Sequence, residues 1–168
     1  ILDQQTDAWG IKVANVEIGR VMAVFADPKL RKHWVAKWKD DRELDRKGEL
    51  ERVFWIRFEL PWPVNDRDYV LHTKAEIDPV KHVVTANLKS THHAKKPEDD
   101  CCVRGQLHGT YYKFEALKGG KTKMTVEVHT DPRGNLPAWL VNLIQKKWPS
   151  KTLNALATQN GLPLSRLN

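Results

Sequence analysis

Histidine and cysteine are the residue types in this chain best able to hold a metal or carry a proton. The chain has seven histidines, none of them spaced four residues apart as in a helical metal site. His92 and His93 are neighbours in a polar stretch, and adjacent side chains on a strand would point apart. We therefore predict no metal site. The histidines on separate predicted strands are His72, His82, His108 and His129.

The only cysteines are Cys101 and Cys102, which are adjacent. Consecutive Cα atoms lie about 3.8 Å apart, whereas an ordinary disulfide joins Cα atoms about 4.4–6.8 Å apart. The spacing therefore predicts two free thiols, and it does not match a zinc motif. Because no disulfide is expected, the cysteines do not indicate a compartment.

Catalytic motifs are missing from the sequence. It contains no Gly-X-Ser-X-Gly elbow, no phosphate-binding loop and no dinucleotide fingerprint. Gly119 and Gly120 stand where a hairpin turn is predicted and do not form a phosphate-binding loop. We therefore expect no catalytic residue and no cofactor.

Charge and length limit the classes of protein that remain. The 168 residues include 28 Lys and Arg against 21 Asp and Glu, a net charge of +7. This length predicts one domain over residues 1–168 with its own core. No apolar run approaches the roughly 20 residues of a membrane span, so we expect a soluble protein, and a monomer. The excess positive charge favours anionic surfaces as partners.

Tryptophans beside lysines raise the alternative of nucleic-acid binding. Trp34 and Trp38, with Lys32, Lys37 and Lys39, have the residue types of a base-stacking platform with phosphate contacts. An ordinary helix with its tryptophans in the core and its lysines in water explains the same spacing. We favour the helix, and we expect no nucleic-acid partner.

Alternating apolar and polar residues predict a sheet. Residues 40–48 are charged and end in glycine, which predicts a solvated connection, and residues 30–38 before them predict a helix. Bulky apolar residues occur on both faces of the stretch 49–60, so both faces are expected to be covered. The predicted strands span residues 10–18, 49–60, 67–77, 82–91, 102–117 and 122–130.

The longest predicted helix follows the last strand. Pro137 suits the first helical position, and Pro149 predicts a kink or a restarted turn. A series of antiparallel strands that ends in one long helix is typical of the α+β class. The residues that recur at helical spacing are Trp139, Leu140, Leu143, Ile144 and Trp148.

Three segments, in order along the chain, resemble one family. They are residues 25–34 (FADPKLRKHW), 60–70 (LPWPVNDRDYV) and 130–142 (TDPRGNLPAWLVN). Together they resemble the START, or steroidogenic-acute-regulatory-protein-related lipid-transfer, domain. The resemblance implies a helix-grip fold, in which a curved antiparallel sheet wraps around a long C-terminal helix. START domains usually place two or three strands before the first helix, so either the early strands are reduced in this chain or a segment is missing.

The resemblance implies binding and transfer of one hydrophobic ligand, such as a sterol or phospholipid, in a tunnel closed by the C-terminal helix. Access would require this helix or its adjoining loops to move. Lys146, Lys147 and Lys151 flank Trp148, so we expect transient contact with anionic membranes there. Two alternatives remain: a helix-grip enzyme such as a polyketide cyclase or aromatase, and a binder of nucleic acid or anionic surfaces.

The expected site follows from the resemblance together with the strand alternation. Arg57 is expected to face the tunnel, with Glu59 or a polar group of the ligand as its partner, because Thr73 replaces the arginine of an acid–arginine pair found in several START domains. Arg67 and Asp68 are expected to anchor a strand more than to select a ligand. The expected ligand-binding residues are Trp55, Arg57, Tyr69, Leu71, Thr73, Tyr111, Met124, Leu140, Leu143, Ile144 and Trp148.

Overall fold

The computed structural model describes residues 6–161, with the side chains of all except 6–9, 145, 146 and 159–161. Its centre is an eight-stranded sheet in the order β1-β8-β7-β5-β4-β3-β2. All pairings are antiparallel apart from that of β6, which runs parallel to β4. The strands are β1 (Thr6–Ala14), β2 (Trp38–Lys47), β3 (Glu51–Phe58), β4 (Arg67–Asp78), β5 (Val83–Ser90), β6 (Val103–Arg104), β7 (Gln106–Leu117) and β8 (Lys121–Asp131).

Four α-helices and one 3₁₀ turn (Pro28–Leu30) complete the described fold, and the helices pack on one face of the sheet. They are α1 (Ile18–Ala26), α2 (Arg31–Trp34), α3 (Ala138–Lys146) and α4 (Trp148–Gly161). The largest core cluster joins Val21 and Val24 of α1, Phe114 and Met124 of the sheet, and Leu156 of α4, all of which are fully buried. This is the predicted α+β arrangement. None of the described helices is both long enough and apolar enough to cross a bilayer.

The two ends of the sheet carry different connections between strands. The turns after β2, β4 and β7 lie together at one end, which we call the hairpin end (residues 48–50, 79–82 and 118–120). Gly119 and Gly120 have φ of 77° and 67° in the three-residue turn between Leu117 and Lys121, a left-handed conformation that glycine adopts without strain. The opposite end, the loop end, carries residues 59–66, 91–102 and 132–137.

The predicted connection at residues 40–48 is wrong, because Trp38–Lys47 forms strand β2. Only Leu44 of this strand is buried, against Trp55 and Val70. The strand lies at a sheet edge, where charged side chains remain in water and discourage pairing with other molecules. Its sequence therefore lacks the apolar alternation by which a strand is recognised.

The helix predicted over residues 30–38 is shorter than expected. Helix α2 ends at Trp34, after which Val35 is extended and Lys37 has a φ of 61°. Trp34 is buried against Phe25, with ring centroids 5.3 Å apart, whereas Trp38 begins β2. The two tryptophans therefore do not share a helix face.

The interruption expected near Pro149 is confirmed, since the C-terminal helical segment is divided between α3 and α4 next to it. Leu140 is fully buried and Ile144 is 9% exposed, and both pack with Leu60. Leu143 and Trp148 lie half-buried beside this cluster. The inward positions predicted from the helical spacing are therefore confirmed for Leu140, Leu143, Ile144 and Trp148, whereas Trp139 is 56% exposed.

The prediction of free thiols is wrong, because the sulfur atoms of Cys101 and Cys102 are bonded to each other. The pair lies in a turn between β5 and β6, where the carboxylate of Asp99 accepts the N–H of Cys101. The Cα spacing of an ordinary disulfide does not apply to adjacent residues, since a turn can bring their side chains to the same side.

Candidate ligand-binding cavity

A cavity of about 460 Å³ lies between the inner face of the sheet and the helices. Its wall is mostly apolar because alternate residues of five strands point inward. Helices α1 and α2 and the start of α4 cover it. The wall residues contributed by the strands include Phe54, Ile56, Phe58, Tyr69, Leu71, Thr73, Ala75, Ile77, Val84, Ala86, Leu88, Leu107, Thr110, Tyr112, Val126, Val128 and Thr130.

Five of the residues expected to bind ligand lie in this wall. Tyr69, Leu71 and Thr73 project from β4, Ile144 comes from α3 and Trp148 from the start of α4. Their contact with a ligand stays a prediction, but the structure brings them to one cavity.

Trp55 and Arg57 do not face the cavity, so that expectation is wrong. The residues of β3 that face it are Phe54, Ile56 and Phe58. Trp55 donates its indole N–H to Asp68 on the outer face at 2.8 Å, and Lys96 lies over its ring. The segment that precedes β6 thus covers part of the outer face, which is why β3 is bulky on both sides.

Arg57 binds Asp66 and not Glu59. Its Nε and Nη2 lie 2.8 and 2.6 Å from Oδ2 of Asp66, while Glu59 accepts from Lys39 at 2.9 Å. The guanidinium is therefore paired outside the cavity.

The other predicted residues do not form the cavity wall. Tyr111 projects to the outer face of β7, since its neighbour Tyr112 points inward. Met124 and Leu140 are fully buried in core clusters. Leu143 packs beside Leu140.

Polar groups near the loop end of the cavity are already hydrogen-bonded to the protein. Arg67, 4% exposed, donates to the backbone oxygens of Asn65, Pro132 and Arg133 at 2.5–2.8 Å. The hydroxyl of Tyr69 lies 3.2 Å from Oγ1 of Thr130, and burial raises its pKa. These groups hold the β3–β4 and β8–α3 connections in place and have little capacity left for a ligand.

Close packing around Tyr69 also requires glycine at position 105. A Cβ on Gly105 would lie 2.4 Å from Cζ of Tyr69, which is shorter than any tolerated contact. Glycine is therefore needed at this position, where the chain turns from β6 into β7.

Toward the hairpin end, two hydroxyls of the wall lack partners. Oγ1 of Thr73 is buried without a hydrogen bond in the described part of the chain. The hydroxyl of Tyr112 makes no hydrogen bond to the described residues either, and burial raises its pKa to about 12, so it remains protonated at neutral pH. Tyr112 is only half-buried by surface area because its ring faces the cavity.

Arg31 also belongs to the cavity wall, and its charge acts on the hydroxyl of Tyr112. Its guanidinium lies 4.2 Å above the ring of Phe54 and is bound to Asp41. Arg31 lies in the segment 25–34, which resembles the START family, but the sequence did not predict it as a site residue. Tyr112 was missed because the bend in β7 hides which of two adjacent tyrosines points inward.

A sheet that encloses an apolar cavity against a C-terminal helical segment defines the helix-grip class. The START domain model matches residues 7–156, and the chain belongs to the START domain family. A phosphatidylcholine transfer protein from Homo sapiens is 26% identical over 165 residues, covering 94% of this chain and 75% of that protein. An uncharacterised protein from Pseudomonas aeruginosa is 26% identical over 152 residues, covering 88% of this chain and 71% of that protein.

Solved structures share the fold at low sequence identity. Human STARD10 has a TM-score of 0.81 at 20% identity, and the match covers 90% of this chain and 62% of that chain, less than two thirds of it. An aromatase/cyclase from Streptomyces sp. R1128 has a TM-score of 0.58 at 10% identity over 94% of both chains. These likenesses establish the fold and leave the ligand open.

Proposed function

We propose that this chain binds and carries one amphiphilic lipid at a time, without catalysis. The observation that carries the proposal is the apolar cavity between sheet and helices in a member of the START family. Its volume of about 460 Å³ falls within the range of about 300–1,000 Å³ typical of ligand pockets. The similarity to a phosphatidylcholine transfer protein supports a lipid as the ligand class.

Burial of apolar surface supplies the binding energy in this mechanism. Each 100 Å² of lipid surface removed from water contributes about 2.5 kcal/mol, so a lipid chain inside the cavity needs no covalent attachment. The wall residues that would contact it include Phe54, Ile56 and Leu71.

The unpartnered hydroxyls determine how the lipid is oriented. A buried hydroxyl without a hydrogen bond is costly, and a polar group of the ligand can accept from Tyr112 and Thr73. Arg31, in the same wall, adds a positive charge that acts on Tyr112. The polar end of the lipid therefore lies toward the hairpin end, and its apolar part extends toward Leu60 and Ile144.

Native mass spectrometry of the purified protein, followed by lipid extraction, tests the proposal. We expect a population heavier by the mass of one lipid, which disappears after delipidation and returns on incubation with vesicles. Protein that neither carries nor takes up a lipid would contradict the proposal. Recovery of an aromatic polyketide in place of a lipid would favour the cyclase alternative.

Removing the hydroxyl of Tyr112 should weaken binding of lipids that carry a polar group. One hydrogen bond contributes about 1 kcal/mol, so Tyr112→Phe should lower affinity for a sterol roughly fivefold and leave affinity for the corresponding hydrocarbon unchanged. The adjacent Tyr111→Phe is the matched control on the outer face. Equal losses for both ligands, measured by fluorescence displacement, would exclude Tyr112 from polar recognition.

We further propose that the region of Lys147 and Lys151 contacts anionic membranes. Both side chains are exposed, and a basic residue near an anionic surface contributes about 1 kcal/mol. The side chain of Lys146, which the sequence grouped with them, lies outside the described part of the structure. Lys147→Gln with Lys151→Gln should weaken co-sedimentation with phosphatidylserine vesicles, and added salt should weaken binding of the unmodified protein. Equal binding to neutral and anionic vesicles would remove the electrostatic contribution.

A further inference from the structure

Cationic side chains outnumber anionic ones in the wall of the cavity. Arg31, Arg52 and Arg67 all contribute to it, whereas Glu49 is the only acidic residue among the described wall residues. The side chain of Glu49 is 93% exposed, so its carboxylate lies in water. The charge inside the wall is therefore positive.

The three arginines differ in how well the protein satisfies them. Arg67 donates to three backbone oxygens and is held by the connections at the loop end. The guanidinium of Arg31 forms one hydrogen bond to the described residues, from Nη1 to Oδ2 of Asp41 at 2.5 Å, although its side chain is only 9% exposed. Its remaining N–H groups have no acceptor among the described residues.

Arg52 faces the cavity without a carboxylate of its own. It shares the inward face of β3 with Phe54, and its side chain is only 13% exposed. Its Nη1 donates to the carbonyl oxygen of Ala26 at 3.1 Å. The one described carboxylate within 4.0 Å, that of Glu43 at 3.9 Å, is already bound by Arg46 at 2.7 and 2.8 Å. A charge removed from water without a close counter-ion is costly.

The positive charges of Arg31 and Arg52 also act on each other. Burial lowers the pKa of Arg52, and the charges of Arg46 and Arg31 lower it further. An arginine does not lose its proton at neutral pH, so deprotonation cannot relieve the repulsion. An anion bound close to both guanidinium groups would reduce it.

Neutral donors without acceptors border the same part of the cavity. The indole N–H of Trp34 and the hydroxyl of Thr73 are buried without a hydrogen bond to the described residues, as the hydroxyl of Tyr112 is without one. Thr73 lies opposite Arg52 in the register of β3 and β4. The rings of Trp34 and Tyr112 both pack against Phe25, with centroids 5.3 and 5.0 Å away.

An ionised acid group matches this set of donors better than other polar groups of lipids. A carboxylate or phosphate oxygen only accepts hydrogen bonds, and its bonds to guanidinium groups are stronger than those of neutral acceptors. An alcohol brings a further donor, and a quaternary ammonium brings a further positive charge. The apolar remainder of the wall, including Leu71 and Leu88, contacts the chain.

We propose that the cavity selects lipids with an ionised acid group, which binds Arg52 and Arg31 while the hydrocarbon chain extends toward Leu60 and Ile144. This inference rests on the proposed lipid carriage and names the ligand class within it. The carboxylate of a fatty acid and the phosphate of an alkyl phosphate share the required chemistry.

Ligands with the same chain length test the selectivity in the unmodified protein. Delipidated protein is titrated with palmitic acid, hexadecyl phosphate, methyl palmitate and hexadecanol, each below its solubility limit, and displacement of a fluorescent neutral lipid is followed. We expect palmitic acid or hexadecyl phosphate to bind at least about tenfold more tightly than both neutral ligands, because charged hydrogen bonds are the stronger ones. The tighter of the two acids identifies the acid group.

Arg52→Met and the matched control Arg57→Met test the residue. Both positions lie on β3, on opposite faces, and both variants lose one positive charge. We expect Arg52→Met to lower affinity for the preferred acid at least about tenfold and affinity for methyl palmitate less than about twofold. Arg57→Met should change both less than about twofold. Arg52→Lys keeps the charge and should lose less affinity for the acid than Arg52→Met.

The possible outcomes separate this inference from the proposed function. Equal affinity of acids and neutral ligands for the unmodified protein overturns the selectivity, and this comparison needs no variant to fold. Equal losses of acid binding in Arg52→Met and Arg57→Met would show that net charge alone is responsible and would overturn the site. Uptake of neutral lipids with no preference for acids contradicts only this inference. Absence of any bound lipid, in the titrations and by native mass spectrometry, contradicts the proposed function itself.

Discussion

Ala86→Trp should abolish lipid binding while the protein remains folded. Ala86 is 1% exposed and points into the cavity from β5, between Ala75 and Tyr112 on the neighbouring strands. An indole at this position would occupy space that the lipid needs. Because the cavity provides room, the cost of overpacking, often about 1–3 kcal/mol, should fall at the lower end.

The adjacent residue provides the control. Asn87 is exposed on the outer face of the same strand, so Asn87→Trp adds the same ring without entering the cavity. We expect lipid affinity to fall by at least about 100-fold for Ala86→Trp, because the loss of roughly 100–200 Å² of apolar contact is worth about 2.5–5 kcal/mol. Normal lipid uptake by a folded Ala86→Trp protein would show that the ligand lies elsewhere.

Arg67→Met should destabilise the protein strongly. It removes the hydrogen bonds to Asn65, Pro132 and Arg133 and leaves three carbonyl oxygens short of a donor. Hydrogen bonds of charged groups contribute about 1.5–3 kcal/mol each, and their effects overlap, so the free energy of unfolding should fall by about 3–5 kcal/mol. Chemical denaturation measures this change.

Arg57→Met is the comparison for that measurement. Arg57 is only partly buried and pairs with Asp66, so its removal should cost about 1 kcal/mol or less. Lipid preference should change in neither variant, because Arg67 is held by three backbone oxygens and Arg57 is paired with Asp66. A stable Arg67→Met protein with altered lipid preference would contradict the anchoring role.

The sequence was sufficient for the order of the elements other than β2, and it was insufficient to decide which face of each strand points to the cavity. The hairpin of β4 and β5 and the break near Pro149 follow from turn residues and spacing. Strand β3 alternates clearly, but both of its faces are apolar, so alternation could not decide whether Phe54 or Trp55 points inward. The deciding contact is Asp68 with Trp55, which joins residues of two strands.

Three other features could not be predicted because they also depend on contacts between residues distant in the sequence. Strand β2 was missed because an edge strand with one buried residue, Leu44, resembles a charged loop. The inward position of Tyr112 depends on an irregularity of register between Leu107 and Gly109. The unpartnered hydroxyl of Thr73 is visible only once its surroundings are known.

The two outer strands of the sheet differ in a way that bears on solubility at high concentration. Eight of the ten residues of β2 are charged, which opposes the addition of another strand. β1 pairs only with β8 among the described strands, and it exposes Ile11 and Val13 to 55% and 48%. Growth of the sheet by one more strand, from another segment or another molecule, is therefore favoured at β1. Any aggregates built from folded molecules should be joined through that edge.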